Sequence, residues 1–295
     1  MGRPEREHRS AQREGDPMSA MGRPEREHRS AQREGNPMNA PPVGLLVIGD
    51  EILSGKRQDR HFVHVTSTLA ARGLALSWAR FEGDDRVRLT LALRESFGRG
   101  DIVFAFGGVG ATPDDQTRQA AATALGVSLV RHPQALAEIE ARFGAEAYPH
   151  RVLMAEFPEG STIIPNPVNR VASFSIRDHH FFPGFPQMAW PMLDWVLATH
   201  YATLRAAPAE ERAIVVFGAG ESQLLPVMDD NVARFHRVKL FSLPSFMPTG
   251  GRRIELGVRG DPAEVDAALA HLVAGVEAAG FRWEPYVEPP GAREP

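Results

Sequence analysis

Three short acidic turns hold the residues best suited to chemistry: Gly49-Asp50-Glu51, Gly83-Asp84-Asp85 and Thr112-Pro113-Asp114-Asp115. The last follows a loop with three glycines, Gly107, Gly108 and Gly110. Glycines let a backbone approach a ligand closely, and the unpaired N–H groups of a helix start attract an anion, so the loop suits phosphate. Carboxylates beside a phosphate repel it unless a divalent cation bridges them. The combination points to Mg²⁺ or a similar hard ion, held by oxygen ligands that include the phosphate itself. A capped helix after a tight turn is the plainer reading of the same loop. The pattern is neither a P-loop, lacking Gly-Lys-Ser/Thr, nor a Rossmann fingerprint.

These residues must be positioned by the elements around them. The run Ile102 to Phe106 before the glycine loop has the length and the β-branched and aromatic content of a buried strand. After the loop, Thr112 reads as an N-cap, Pro113 as the first helical residue and Asp115 as its capping-box partner. Val43 to Ile48 forms a second apolar strand, running into the first acidic turn. Arg57 to Arg72 is expected to be a helix with Phe62, Val65 and Leu69 inward. Leu74 to Phe81 is a third strand, ending at the second acidic turn. Arg86 to Phe97 is a helix with Val87, Leu91 and Leu93 inward. Strands alternating with helices over short links predict a parallel sheet covered on both faces, whose ligands bind at the carboxyl ends of the strands. All three acidic turns follow strands and therefore belong on one rim.

Further on, a helix is expected near Gln134 to Phe143. Short extended pieces follow at Arg151 to Glu156, Thr162 to Pro165, Val171 to Ile176 and His180 to Pro183, and then a helix to about His200 with Trp190, Leu193 and Leu197 in the core. Past a linker at 206–210, a β-α-β-β-α order predicts a small α+β unit over 206–282, and 283–295 reads as a Pro-rich tail. The main domain then spans 41–205. Residues 1–40 are a 20-residue segment repeated once with two differences, Asp16/Asn36 and Ser19/Asn39. With almost no large apolar residue it reads as disordered.

With 295 residues the chain can bury a sizeable core. A formal net charge of -4 gives no pull toward nucleic acid or an anionic membrane. Lys56 and Lys239 are the only lysines, and there is no cysteine, which removes disulfides, thiolate catalysis and zinc-thiolate sites. No run is long and apolar enough to span a bilayer and no signal peptide opens the sequence, so the expected compartment is the cytoplasm. His61 and His64 share a helical face without a zinc motif around them, and His179-His180 in a strand point to opposite faces.

Taken in order, GDEILSG (49–55), GDD (83–85), GGVGATPDDQTR (107–118), NPV (166–168), PGFPQM (183–188) and GAGES (218–222) resemble the N-terminal part of the competence/damage-inducible family CinA. That family lies within the MoaB/Mog-like molybdopterin-binding superfamily. The resemblance implies a three-layer α/β sandwich with a mostly parallel sheet, followed by a small KH-like α+β subdomain. It also implies a nucleotide or pterin phosphate as ligand and a homo-oligomer, dimer or trimer. By the same resemblance Gly107, Gly108, Gly110, Asp115 and Thr117 contact the ligand, and Asn166 opens a further ligand-side motif. CinA-type relatives are associated with metal-dependent cleavage of nucleotide diphosphates such as ADP-ribose, and a similar domain with FAD hydrolysis. Deamidation of nicotinamide mononucleotide belongs to a separate C-terminal domain of CinA and is not implied for this chain. The small unit shows no GxxG clamp loop and no basic face in its sequence, which argues against RNA.

The sequence departs from the pattern twice. Val109 stands where adenylylating members carry Thr. Asn169-Arg170-Val171-Ala172-Ser173 stands where CinA has a Gly-Thr-Ala-Pro-Gly turn, so Arg170 brings a cation to a small turn.

For pyrophosphate hydrolysis, the glycine-loop amides with Thr112 or Thr117 would hold one phosphate, with Asp114 beside them. Asp50, Glu51, Asp84 and Asp115 would hold the metal or orient water, and Lys56 would neutralise the departing phosphates. Asp50, Asp84 and Asp115 are then the catalytic candidates. GAGES offers a second anion-binding helix start at Glu221 and Ser222, for which a capped helix is the preferred reading. Three functions remain open: a metal-dependent nucleotide pyrophosphatase, molybdopterin binding or adenylylation, and a ligand-binding module without catalysis.

Overall fold

The computed structural model describes Gly2 and residues 41–206, 209–247 and 250–287. The repeat at 1–40, Gly2 apart, and the end of the Pro-rich segment lie outside the described residues. Among these residues no helix is long and apolar enough to cross a membrane.

The chain begins its fold with β1 (Val43–Ile48), a one-turn α1 (Asp50–Leu53), α2 (His61–Ala70), β2 (Trp78–Glu82), α3 (Arg86–Arg99) and β3 (Ile102–Phe106). After the glycine loop come α4 (Thr117–Leu125), β4 (Leu129–Arg131), α5 (Pro133–Phe143), β5 (Glu156–Pro158), β6 (Thr162–Ile164), β7 (Ser173–Ile176), β8 (His179–Phe182) and α6 (Pro186–His200). Six strands form one sheet in the order β2-β1-β3-β8-β7-β6. β1 pairs in parallel with β2 and β3, and β3 with β8, while β7 is antiparallel to both of its neighbours. β4 and β5 form a separate two-stranded ribbon.

Every residue of β1 and of β3 is buried, because side chains alternate between two covered faces. Val43, Leu45 and Val47 join Phe104 and Phe106 in a core under α2 and α6. Leu46 and Ile48 join Val103 and Ala105 under α3, α4 and α5. The result is the expected α/β/α three-layer sandwich. Each fully buried Leu or Phe contributes roughly 1.5–3 kcal/mol to holding the layers together.

A second unit contains β9 (Glu210–Phe217), α7 (Glu221–Arg234), β10 (Val238–Phe246), β11 (Arg252–Gly260), α8 (Pro262–Ala278) and β12 (Arg282–Pro285). Its antiparallel sheet has the order β10-β11-β9-β12, and its core draws only on residues from 214 to 283. β12 lies where the sequence reading begins a Pro-rich tail. Its Pro285 is on an edge strand, where the missing N–H costs no ladder bond.

Several local expectations are corrected. In α3 the buried residues include Leu89, Leu93 and Phe97, four apart, whereas Val87 and Leu91 are 68% and 58% exposed. Two residues along a helix is about 200°, so those two face the opposite side. In α2 the inward positions are His61, Val65 and Leu69, and Phe62 is exposed. The His61 ring takes the apolar place by stacking on Phe106 at 4.3 Å. Trp190 is half-buried and stacks on His64 at 4.1 Å. Arg151–Ala155 is a 3-10 turn rather than extended chain.

Candidate functional site

Because β1, β2 and β3 are parallel, their carboxyl ends lie on one rim, and the sheet order reverses between β1 and β3, where a crevice opens. A cavity of about 560 Å³ occupies it, lined among others by Glu51, Asp84, Asp114 and Asp115, the three glycines, Thr112 and Asn166. Of the expected site residues, Asp50, Lys56 and Thr117 do not line it.

The first two acidic turns lock to each other. The Asp50 N–H donates to Asp84 Oδ2 at 2.9 Å, and the Asp84 N–H donates to Asp50 Oδ1 at 3.2 Å. Asp50 thus holds the turn together rather than facing the cavity. Asp85 caps α3 by accepting from the Arg88 N–H at 2.8 Å. Asp84 has its pKa raised by burial and by the charges of Asp50, Glu51 and Asp114, against the lowering effect of its bond to the Asp50 N–H. A group so placed is relieved by an incoming cation.

The glycine loop is built from its neighbours. Gly107 has φ 107° and Gly108 has φ 65°. A Cβ at Gly107 would run into the Ile48 carbonyl oxygen of β1, and one at Gly108 into the Thr117 hydroxyl. Only glycine permits both the left-handed backbone and this proximity. Thr117 is fully buried; its hydroxyl donates to the Gly107 carbonyl at 2.9 Å and its N–H to the Gly108 carbonyl at 3.0 Å. Thr117 therefore braces the loop from behind, which corrects its expected role as a ligand contact.

The expected cap is also displaced. Asp115 accepts from the N–H and the hydroxyl of Thr112, closing a turn, but α4 starts two residues later at Thr117. The N–H groups of Asp115 and Thr117 are already paired with Thr112 and Gly108 carbonyls. By contrast, no acceptor among the described residues takes up the N–H groups of Gly108, Val109, Gly110 and Ala111, all of which line the cavity. The anion-suited donors belong to the loop rather than the helix.

Arg118 went unnoticed in the sequence. Only 3% exposed, it donates to the Gly110 carbonyl at 2.6 Å and to the Leu153 and Glu156 carbonyls, tying the loop to the β5 segment. Arg57 and Arg142 also line the cavity, with apolar Phe143, Met154 and Met188. Arg57 hides within Lys-Arg-Gln-Asp-Arg, which reads as a solvated charge run, so no sequence signal marks it. Lys56 is exposed.

Asn166 is 5% exposed, and its Oδ1 accepts from the Val168 and Asn169 N–H groups. Asn169 in turn accepts from the Val171 N–H. Arg170 has φ 59°, the left-handed backbone that a glycine turn would supply, and pairs with Glu138 at 3.0 Å. It does not line the main cavity, which corrects the cation expected there.

His179 and His180 are packing residues, buried on opposite faces of the sheet and bonded to Ser96 at 2.8 Å and to Ser175 at 2.7 Å. Burial lowers both pKa values to about 3. GAGES is a helix start whose Gly220 N–H is taken by Gln223 at 2.9 Å.

Among the described residues no three His, Asp or Glu side chains gather to hold a metal ion. Asp50 and Asp84 each have an oxygen engaged by the other turn, and Asp115 folds back on Thr112, so the four expected ligands form no closed cage.

Fold and crevice define an open-sheet α/β domain with a cavity at its switch point. Residues 44–205 match the family described as "Probable molybdopterin binding domain", and the chain belongs to that family. It is 36% identical over 200 residues to a CinA-like protein of Anaeromyxobacter sp. (strain Fw109-5), which covers 64% of this chain and 48% of the relative. It is 32% identical over 191 residues to a CinA-like protein of Syntrophotalea carbinolica, covering 62% of this chain and 46% of that one. The chain thus spans about half the length of these relatives. A crystal structure of the protein CinA from Thermoplasma acidophilum, whose function is given as unknown, superposes with a TM-score of 0.51. It is 26% identical and covers 55% of this chain and 99% of that one.

Proposed function

We propose that the chain binds a nucleotide or pterin phosphate in the 560 Å³ cavity and acts as a divalent-metal-dependent nucleotide pyrophosphatase on ADP-ribose or FAD-like diphosphates. The observation that carries this reading is the set of loop N–H groups from Gly108 to Ala111, unpaired among the described residues and carried by residues that line the same cavity as Glu51, Asp84 and Asp115. Donors for a phosphate and carboxylates for its counter-ion then meet in one place.

Without a closed protein cage, the cation fits as Mg²⁺ usually binds phosphate esters, through one or two carboxylates plus the phosphate oxygens. Asp84 and Asp115 are the carboxylates proposed for it. Bound there, it would supply charge neutralisation and a more acidic water. The chain's own part is to hold one phosphate on the loop amides, keep Asp84 and Asp115 beside it, and shelter the heterocycle against Phe143, Met154 and Met188.

The test incubates the purified chain with ADP-ribose or FAD, with and without Mg²⁺, and follows AMP by chromatography. AMP should form only with the metal. Asp115→Asn should lose turnover while remaining folded, because the amide oxygen can still accept from Thr112. A thermal shift with nucleotide but no product would leave a binding module only. The family match favours molybdopterin as a second ligand, and consumption of ATP in the presence of the pterin would decide for adenylylation.

A further inference from the structure

A second cavity, of about 460 Å³, adjoins the first and shares Ile48, Glu51, Arg57, Gly184 and Phe185 with it. Its own walls differ in character. His61 is 5% exposed and stacks on Phe106, its Nε2 lies 3.2 Å from the Gly184 carbonyl, and its Nδ1 has no protein partner. Phe185 is 54% exposed, and the amides of Gln58 and Gln187 complete a part-aromatic, part-polar lining. Asp59, the other carboxylate of that wall beside Glu51, is occupied in accepting from the His61 and Phe62 N–H groups at 2.9 Å.

Arg57 lies where the two cavities join. Its backbone is anchored by a 3.0 Å bond from its N–H to the Glu51 carbonyl, and its guanidinium forms no ion pair among the described residues. A free guanidinium between two cavities, one of which carries phosphate-suited amides, matches a ligand with a phosphate at its centre and a group at each end. Arginine reads phosphate oxygens with a planar, two-pronged set of donors that lysine lacks.

We infer that the second cavity takes the second half of a two-headed diphosphate ester, and that Arg57 is the specificity residue that favours such diesters over nucleoside monophosphates. This rests on the proposed nucleotide reading of the larger cavity.

The test is isothermal titration of the full chain in Mg²⁺ with two probes, AMP and the cleavage-resistant α,β-methylene analogue of ADP-ribose. The analogue should bind about tenfold or more tightly than AMP. Arg57→Ala should weaken the analogue about 10- to 100-fold, the range of a charge-assisted phosphate contact, and leave AMP within about twofold. Arg57→Lys should recover part of the loss. Gln187→Trp, at an exposed position of the second cavity, should weaken the analogue and spare AMP. If AMP binds but the analogue is no tighter, or if Arg57→Ala weakens both alike, the two-cavity inference fails while the nucleotide reading stands. Binding of neither probe by the unaltered chain overturns both.

Discussion

Substituting Gly108 tests whether the loop is held as described. In Gly108→Ala the new methyl meets the Thr117 hydroxyl, and the residue must keep φ 65°. The left-handed conformation costs an alanine about 1–2 kcal/mol. Pushing the hydroxyl away from the Gly107 carbonyl forfeits about 0.5–1.5 kcal/mol more. The variant should therefore lose roughly 2–3 kcal/mol, or about 5–10 °C of melting temperature for a unit of this size. Thr117→Ala alone loses the same bond and leaves the carbonyl unpaired, at about 1–3 kcal/mol. Combined, the two should fall short of additivity by about 0.5–1.5 kcal/mol, since no hydroxyl remains for the methyl to displace. Urea unfolding followed by tryptophan fluorescence suits this cycle, with Trp78, Trp190 and Trp195 all in the three-layer unit. Additivity within about 0.3 kcal/mol, or a Gly108→Ala variant as stable as the parent, would falsify the bracing of the loop by Thr117.

Arg118→Met should cost about 3 kcal/mol or more, because the Gly110, Leu153 and Glu156 carbonyls lose a shared charged donor; Arg118→Lys should restore only part, and a loss below about 1 kcal/mol by thermal denaturation counts against the pinning. Asp84→Asn should raise the melting temperature at pH 7 without metal, since it removes a charge disfavoured by burial and by Asp50, Glu51 and Asp114 while keeping an acceptor for the Asp50 N–H; a fall instead would show the charge to be favourable there. Acid should destabilise the sheet through His179 and His180, whose folded pKa values of about 3 lie below the unfolded 6.5. Their contribution is fully present above pH 6.5 and is lost as pH falls from there toward 3, because the unfolded chain takes up protons that the native one refuses. The slope is up to about 1.4 kcal/mol per pH unit for each histidine, so urea midpoints that stay flat from pH 7.5 to 5 would contradict it.

Most of the three-layer fold was legible because β1 and β3 are buried on both faces and so read as short unbroken apolar runs. The parallel order then placed the acidic turns on one rim by geometry alone. Helix faces were harder. Val87 and Leu91 are apolar yet outward, and His61 is polar yet inward, because what decides is the angular position set by Leu89 and Leu93 or by Val65 and Leu69. The loop was read as an anion site, but the assignment of donors within it was not accessible. Whether Thr117 turns toward a ligand or back onto Gly107 depends on a contact ten residues away, and one-dimensional spacing does not carry it. Arg118 shows the limit most clearly: between Thr117 and Gln119 it looks like a solvated helix residue, and only the fold of 153–156 around it supplies the carbonyls that bury it.

These inward-turned residues also explain how a rim of like charges is kept. Asp50, Asp84, Asp85 and Asp115 each accept from backbone N–H groups, so each carboxylate is held in place by a turn. Asp84 ends with a raised pKa, desolvated and facing neighbours of its own sign. Asp84 lines the cavity together with Glu51, Asp114 and Asp115, and the repulsion it meets is from charges gathered at that wall. A ligand that brings a cation to that point relieves the repulsion, and one that brings only negative charge increases it. Nucleotide without Mg²⁺ should therefore shift the melting temperature less than nucleotide with it, and Asp84→Asn should shrink that difference.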